Sequence, residues 1–165
     1  MVIRLFFLTL LGISTTVIAK NTVVYYEPRV AILKGMVRLL EFAGEPNYES
    51  IKNGDSDETG PFLILGKPIN TISPPEVSIE INEEEKNVKF IQIIRPYNLK
   101  LPELEDGYYI QITGTLFRAH TGHHHSRVLM MTDSIKVIAK KKLLSNKLDL
   151  TPEDNEFLSW QNLPN

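Results

Sequence analysis

Two long apolar stretches of this chain are each interrupted by a single glycine, and this limits the fold more than any other feature. Ala31 to Phe42 reads as a strand, with Ile32, Leu33, Met36, Val37, Leu39 and Leu40 as its apolar content and Gly35 inside it. Tyr108 to Phe117 alternates polar and apolar residues, with Gly114 near its middle. Glycine weakens a strand interior, so its presence there marks a bulge or the tight bend of a barrel corner. These two segments therefore read as bent strands of a small barrel.

The rest of the chain is consistent with that reading. Thr22 to Tyr26 is β-branched and aromatic, Pro61 to Leu65 is a short apolar strand, and Glu76 to Ile81 alternates in the half-buried manner. Val88 to Ile94 is closed by Arg95-Pro96, and Val128 to Ile138 is the last clear strand. Gly44 to Gly60 is a long polar loop with one helical turn near Tyr48 to Ile51, and loops of that length in a compact domain are often functional. Leu99 to Asp106 is a proline-broken connector. Near the end, Thr151-Pro152-Glu153-Asp154 combines an N-cap, a proline at the first helical position and acids in the first turn, which predicts a short helix. The expected fold is mainly β: a small OB-like closed or partly open barrel of five to six strands with a short C-terminal helix, an open sandwich being the competitor.

Export is read from the start of the chain. Arg4 precedes an apolar run from Leu5 to Ile13, and Val17-Ile18-Ala19 offers small residues before a cleavage point. That run is too short to span a bilayer, which takes about 20 residues. The expected organisation is a signal peptide over 1–19, a barrel domain over 20–139 and a tail with a short helix over 140–165, located in the periplasm or secreted. Removing the first segment takes away Arg4 alone among the charges, so 17 basic residues face 20 acids. No basic stripe suits nucleic acid, and no membrane span follows the signal. The chain has no cysteine. Thiol catalysis and thiolate metal sites are thereby excluded, and the domain must be held by its core, for which its length suffices.

Two segments carry chemistry. All four histidines lie in His120-Thr121-Gly122-His123-His124-His125. Imidazole ligates zinc and other divalent transition metals. A turn at Gly122 would bring His120 back toward His123, and an extended chain would put His123 and His125 on one face. His120, His123 and His125 are thus candidate ligands for zinc or another divalent metal, with a carboxylate from Asp133, Asp55, Asp57 or Glu58. The alternative is a hairpin turn whose imidazoles are exposed or hydrogen-bonded locally. The second segment is the acidic loop carrying Glu45, Glu49, Asp55, Asp57 and Glu58; it lacks the spacing of a standard calcium hand. For catalysis, Ser126 beside His125 and Glu49 with His123 are the pairs on offer, but no nucleophile elbow, phosphate loop or zinc-protease helix is present. No catalytic residue is assigned.

The same segments carry a resemblance. Pro46-Asn47-Tyr48-Glu49-Ser50-Ile51, Gly54-Asp55 and Glu58-Thr59, with Thr113-Gly114-Thr115-Leu116-Phe117 running into Ala119-His120-Thr121-Gly122-His123-His124-His125, resemble a bacterial family of exported domains of unknown function (DUF4431). Tyr26-Glu27-Pro28 is similar to its opening motif, and the likeness runs over about Tyr25 to Ile138. The resemblance implies an exported OB-like barrel and no particular activity. Its members tend to carry cysteines near the positions of Val23 and Asn70, where this chain has none. If those two pair elsewhere in the family, the N-terminal strand should lie beside Asn70.

The expected binding surface comprises Asn47, Tyr48, Glu49, Ser50, Asp55, Glu58, His120, His123, His124 and His125. The expected function is an exported interaction module, of inhibitor or immunity type, for a protein or cell-envelope ligand. The alternatives are a metal-binding protein using His120, His123 and His125 and, more weakly, a cell-envelope hydrolase.

Overall fold

A computed structural model describes residues 21–77, 82–141 and 147–160. The export segment read at 1–19 and most of the strand expected at 76–81 lie outside the described residues. Six strands and one helix follow in order: β1 (Thr22–Tyr25), β2 (Val30–Leu40), β3 (Gly60–Ile72), β4 (Glu85–Ile94), β5 (Tyr108–Arg118), β6 (Val128–Lys140) and α1 (Pro152–Ser159). Among the described residues no helix is long and apolar enough to cross a membrane.

Antiparallel pairs join β2 to β3, β2 to β5, β3 to β4 and β5 to β6, and a parallel pair joins β4 to β6. These five strands close into a ring. The β3–β4 pairing makes it a barrel of OB-like Greek-key form rather than an open sandwich. β1 lies outside the ring, parallel to the end of β3, and there Val23 faces Asn70 across the pair. The neighbourhood expected from the family's two cysteine positions is present.

The two interrupting glycines stand where neighbouring backbone comes closest. A Cβ on Gly35 would lie 2.4 Å from the carbonyl oxygen of Ile64, and one on Gly114 would lie 2.0 Å from that of Met131. At Gly35 β2 passes from pairing with β5 alone to pairing with β3 as well. At Gly114 the register against β6 slips by one residue, leaving Asp133 as the extra residue of a bulge. β3 runs well past the expected Leu65, through Pro68. Its register against β4 breaks between Ile64 and Ile69, so the proline sits where no regular ladder is needed.

Alternation places Leu63, Leu65, Ile91, Ile93, Ile110, Ile112 and Leu116 in the barrel core with Val37, Val88 and Met130. Tyr26 joins that core fully buried, and its hydroxyl accepts from Thr71 Oγ1 at 2.7 Å. Burial pushes the Tyr26 hydroxyl up to about 12, against the lowering effect of the Thr71 bond. A second, separate cluster of Phe42, Phe62, Phe90 and Leu158 lies on the other face of β3 and β4. Helix α1 starts as expected: Thr151 Oγ1 accepts from the Asp154 N–H, and Pro152 opens the helix.

Candidate functional site

The loop between β2 and β3 and the loop between β5 and β6 meet at one carboxylate. Glu58, near the end of the first loop, accepts from His123 Nδ1 at 2.7 Å through one oxygen and from His125 Nε2 at 2.8 Å through the other. Burial alone would raise the Glu58 carboxyl, but the hydrogen bonds from His125 and His123, and their charge, hold it below the ordinary glutamate range. A Cβ on residue 44 would fall within 2.5 Å of a Glu58 oxygen, so the close seating of Glu58 requires Gly44.

His125 is 2 % exposed. Its ring stacks on Phe42 at 4.0 Å and 5°, and its backbone N–H donates to Gln92 Oε1 at 2.7 Å. Gln92 is a second clamp on this loop. Its own N–H donates to Ser126 Oγ at 2.9 Å, and its amide nitrogen donates to the His123 carbonyl at 3.4 Å. His123, by contrast, has a side chain 54 % exposed, with the Tyr48 ring tilted against it at 5.9 Å.

The other two histidines form their own pair. His124 Nδ1 accepts from the His120 backbone N–H at 3.0 Å, and the two rings meet edge to face at 4.6 Å beside Phe117. Burial first, and then the neighbouring histidines, lower the His124 ring below the ordinary histidine value, which suits an Nδ1 that must stay unprotonated to accept. His120 Nδ1 donates to the Arg118 carbonyl at 3.1 Å.

Asp55 shapes the acidic loop from within. It is buried and accepts the backbone N–H groups of Asn47, Glu49 and Ser50 at 3.0, 2.9 and 2.8 Å, and the Asn47 side chain at 3.1 Å. The Ser50 and Glu49 bonds lead in lowering its carboxyl, and those from Asn47 add to them against the effect of burial. The turn expected near Tyr48 to Ile51 is a 3-10 turn over Ile51–Asn53, and Tyr48 has φ +58.

The expected residues are thus brought together in part. Glu58, His123, His125 and Tyr48 form one cluster, with His125 buried beneath it, and Asn47, Glu49, Ser50 and Asp55 form the loop that carries Tyr48. His120 lies with His124 and not with His123 and His125. Among the described residues no three His, Asp or Glu side chains are placed to hold a metal ion. Ser126 Oγ donates to the Val128 carbonyl at 2.6 Å, and His125 directs its Nε2 at Glu58, so the neighbouring Ser126 and His125 are not arranged as nucleophile and base. His123 is engaged by Glu58, not Glu49. Phe42 and Gln92 were not anticipated, because one aromatic and one amide within apolar strands carry no local signal of a role.

Residues 100–136 match the family model described as a domain of unknown function (DUF4431). That segment is similar to the DUF4431 family. It takes in β5, the histidine loop and the first part of β6, and so holds the histidine side of the bridge, while Glu58 and Asp55 lie outside it. No curated protein and no solved structure gives a match to this chain.

Proposed function

We propose that this chain is an exported interaction module of the bacterial cell envelope that binds a protein or envelope ligand through the rim formed by residues 41–59 and 119–127. An inhibitor or immunity-type protein is the version that best suits a barrel of this size. One observation supports this reading above others: Glu58 ties the two loops together through His123 and His125. OB-like barrels bind ligands with the loop joining their first two strands and the loop joining their last two. In this ring those are the acidic loop and the histidine loop. The bridge holds them as one preorganised surface, with Tyr48 and His123 facing outward, and preorganisation limits the entropy lost on binding.

The test uses the full chain in its native host. A photo-crosslinking residue replacing Tyr48 or His123 should trap one and the same partner from the cell envelope, and the same residue at exposed Tyr97 should not. The protein recovered there should begin at Lys20. Equal labelling from all three positions, or an intact start in the cytoplasm, would overturn the proposal.

A further inference from the structure

The outward face of β3 and β4 is aromatic, and the chain's own C-terminal segment covers it. Phe62 and Phe90 stack at 4.7 Å and 7°, with Phe42 against Phe62 at 5.4 Å. None of the three is more than 1 % exposed. Leu158 of α1, with Leu148 and Leu150 before it, packs against them. Two cations flank the aromatic face, and each meets an acid from the same segment. Lys89 Nζ pairs with Asp149, and Arg127 donates through Nε and Nη2 to Asp154 Oδ1 at 3.1 and 2.7 Å. The other Asp154 oxygen accepts the β4 backbone N–H groups of Lys89 and Phe90 at 2.7 and 3.1 Å. Lys89 falls within the break in the β3–β4 register and Phe90 at its edge.

This strand pair is the face on which OB-like barrels seat their ligands, between the same two loops. Here the face is apolar and cationic, and its occupant is apolar and acidic. The barrel core is a separate cluster with no residue from α1. An eight-residue helix is too short to persist undocked. Segments held by few buried apolar contacts open locally below the cost of global unfolding.

We infer that the β3–β4 face, with Lys89 and Arg127 at its edge, is a docking surface for an acidic amphipathic helix of a partner, and that residues 148–158 occupy it within the chain as an imitation of that partner. Charge complementarity selects the occupant: a basic or neutral helix would leave Lys89 without its acid and Arg127 with Glu85 alone, and would leave the Lys89 and Phe90 N–H groups without the carboxylate that accepts them. The inference stands apart from the rim. The two surfaces nonetheless touch, because Phe42 belongs to this face and stacks on His125.

Native-state hydrogen exchange on the full chain should show amides 153–159 opening independently of β5 and β6. A full-length variant with Asp154→Lys and Leu158→Asp, its own segment displaced, should keep the barrel and bind a labelled synthetic peptide of residues 147–160. The unaltered chain should bind that peptide at least about tenfold more weakly, because its face is filled. A peptide carrying Asp154→Asn should lose about tenfold or more, the usual range for a hydrogen bond to a charged group. Exchange of 153–159 only together with the barrel strands would overturn the inference. So would a folded variant that ignores the peptide, or a variant that cannot fold, since the segment would then belong to the core.

Discussion

Glu58 and His125 are joined across 67 residues of sequence by a 2.8 Å hydrogen bond, and the second oxygen of the same carboxylate takes His123 at 2.7 Å. Two loops that share no strand-to-strand hydrogen bonds of their own are thereby fixed to each other. Glu58→Ala should lower unfolding stability by about 2 kcal/mol, the scale for hydrogen bonds to a charged group. Glu58→Gln should restore part of that loss, because an amide oxygen accepts from only one of the two rings. Urea unfolding measures the stability, and the imidazole N–H resonances of His123 and His125 report whether the bridge is lost.

Asp55 holds its loop only while ionised. Its folded carboxyl is lowered by the backbone bonds from Ser50 and Glu49, so its contribution is fully present above the unfolded aspartate value, about 3.9, and is lost as pH falls through the lower folded value. Asp55→Asn should therefore lower Tm at pH 7, and the gap from the unaltered chain should narrow steadily below about pH 4. A gap that stays constant down to pH 2 would contradict this account.

The His124 ring is expected to titrate below the ordinary histidine range, for the reasons of burial and neighbouring charge given above. Its folded value is depressed, so the unfolded chain gains the proton first. The contribution of neutral His124 is then complete above about pH 6.5 and declines below it. A proton NMR titration of the ring hydrogens reads this directly, with His124 shifting at lower pH than a histidine in a short peptide.

Gly114→Ala should cost at least about 3 kcal/mol, the upper range for overpacking, because the added methyl meets a fixed backbone carbonyl. Gly66→Ala, where a Cβ meets nothing within 4 Å, should change stability by less than about 1 kcal/mol and in the favourable direction. Chemical denaturation of the two single variants separates these cases.

Val23 and Asn70 are register partners. Val23→Cys with Asn70→Cys should form a disulfide under oxidising conditions and raise stability by about 2–4 kcal/mol, the usual range for a bridge closing a long loop. The loss of Asn70's bonds to Asn21 and Asn87 works against part of that gain. Mass spectrometry and melting with and without reductant give the measurement.

Much of the fold was legible because it depends on local pattern. The alternation in β5, the β-branched and aromatic run of β1 and the Thr151-Pro152 helix start all follow from side-chain period and backbone chemistry within a few residues. The extension of β3 through Pro68 was not legible. A proline reads as punctuation unless one knows that the ladder is interrupted there. The site was half legible. The two loops could be named from their residue types, but the partner of the histidines could not. Glu49, Asp55, Asp57 and Glu58 differ little in sequence, and only the fold makes Asp55 an internal cap and Glu58 a bridge.

By itself the sequence determined that the chain is cysteine-free and mainly β, with two long strands interrupted at Gly35 and Gly114, since those features act through composition and immediate backbone. Tertiary structure alone decided that β3 pairs with β4 to close the ring, that His125 is buried against Phe42 while His123 faces outward, and that residues 148–158 lie on the aromatic face. The physical reason is range. A period or a cap is set by neighbours along the chain, whereas the partner of a carboxylate or the cover of a sheet face is set by pairings that join residues dozens of positions apart.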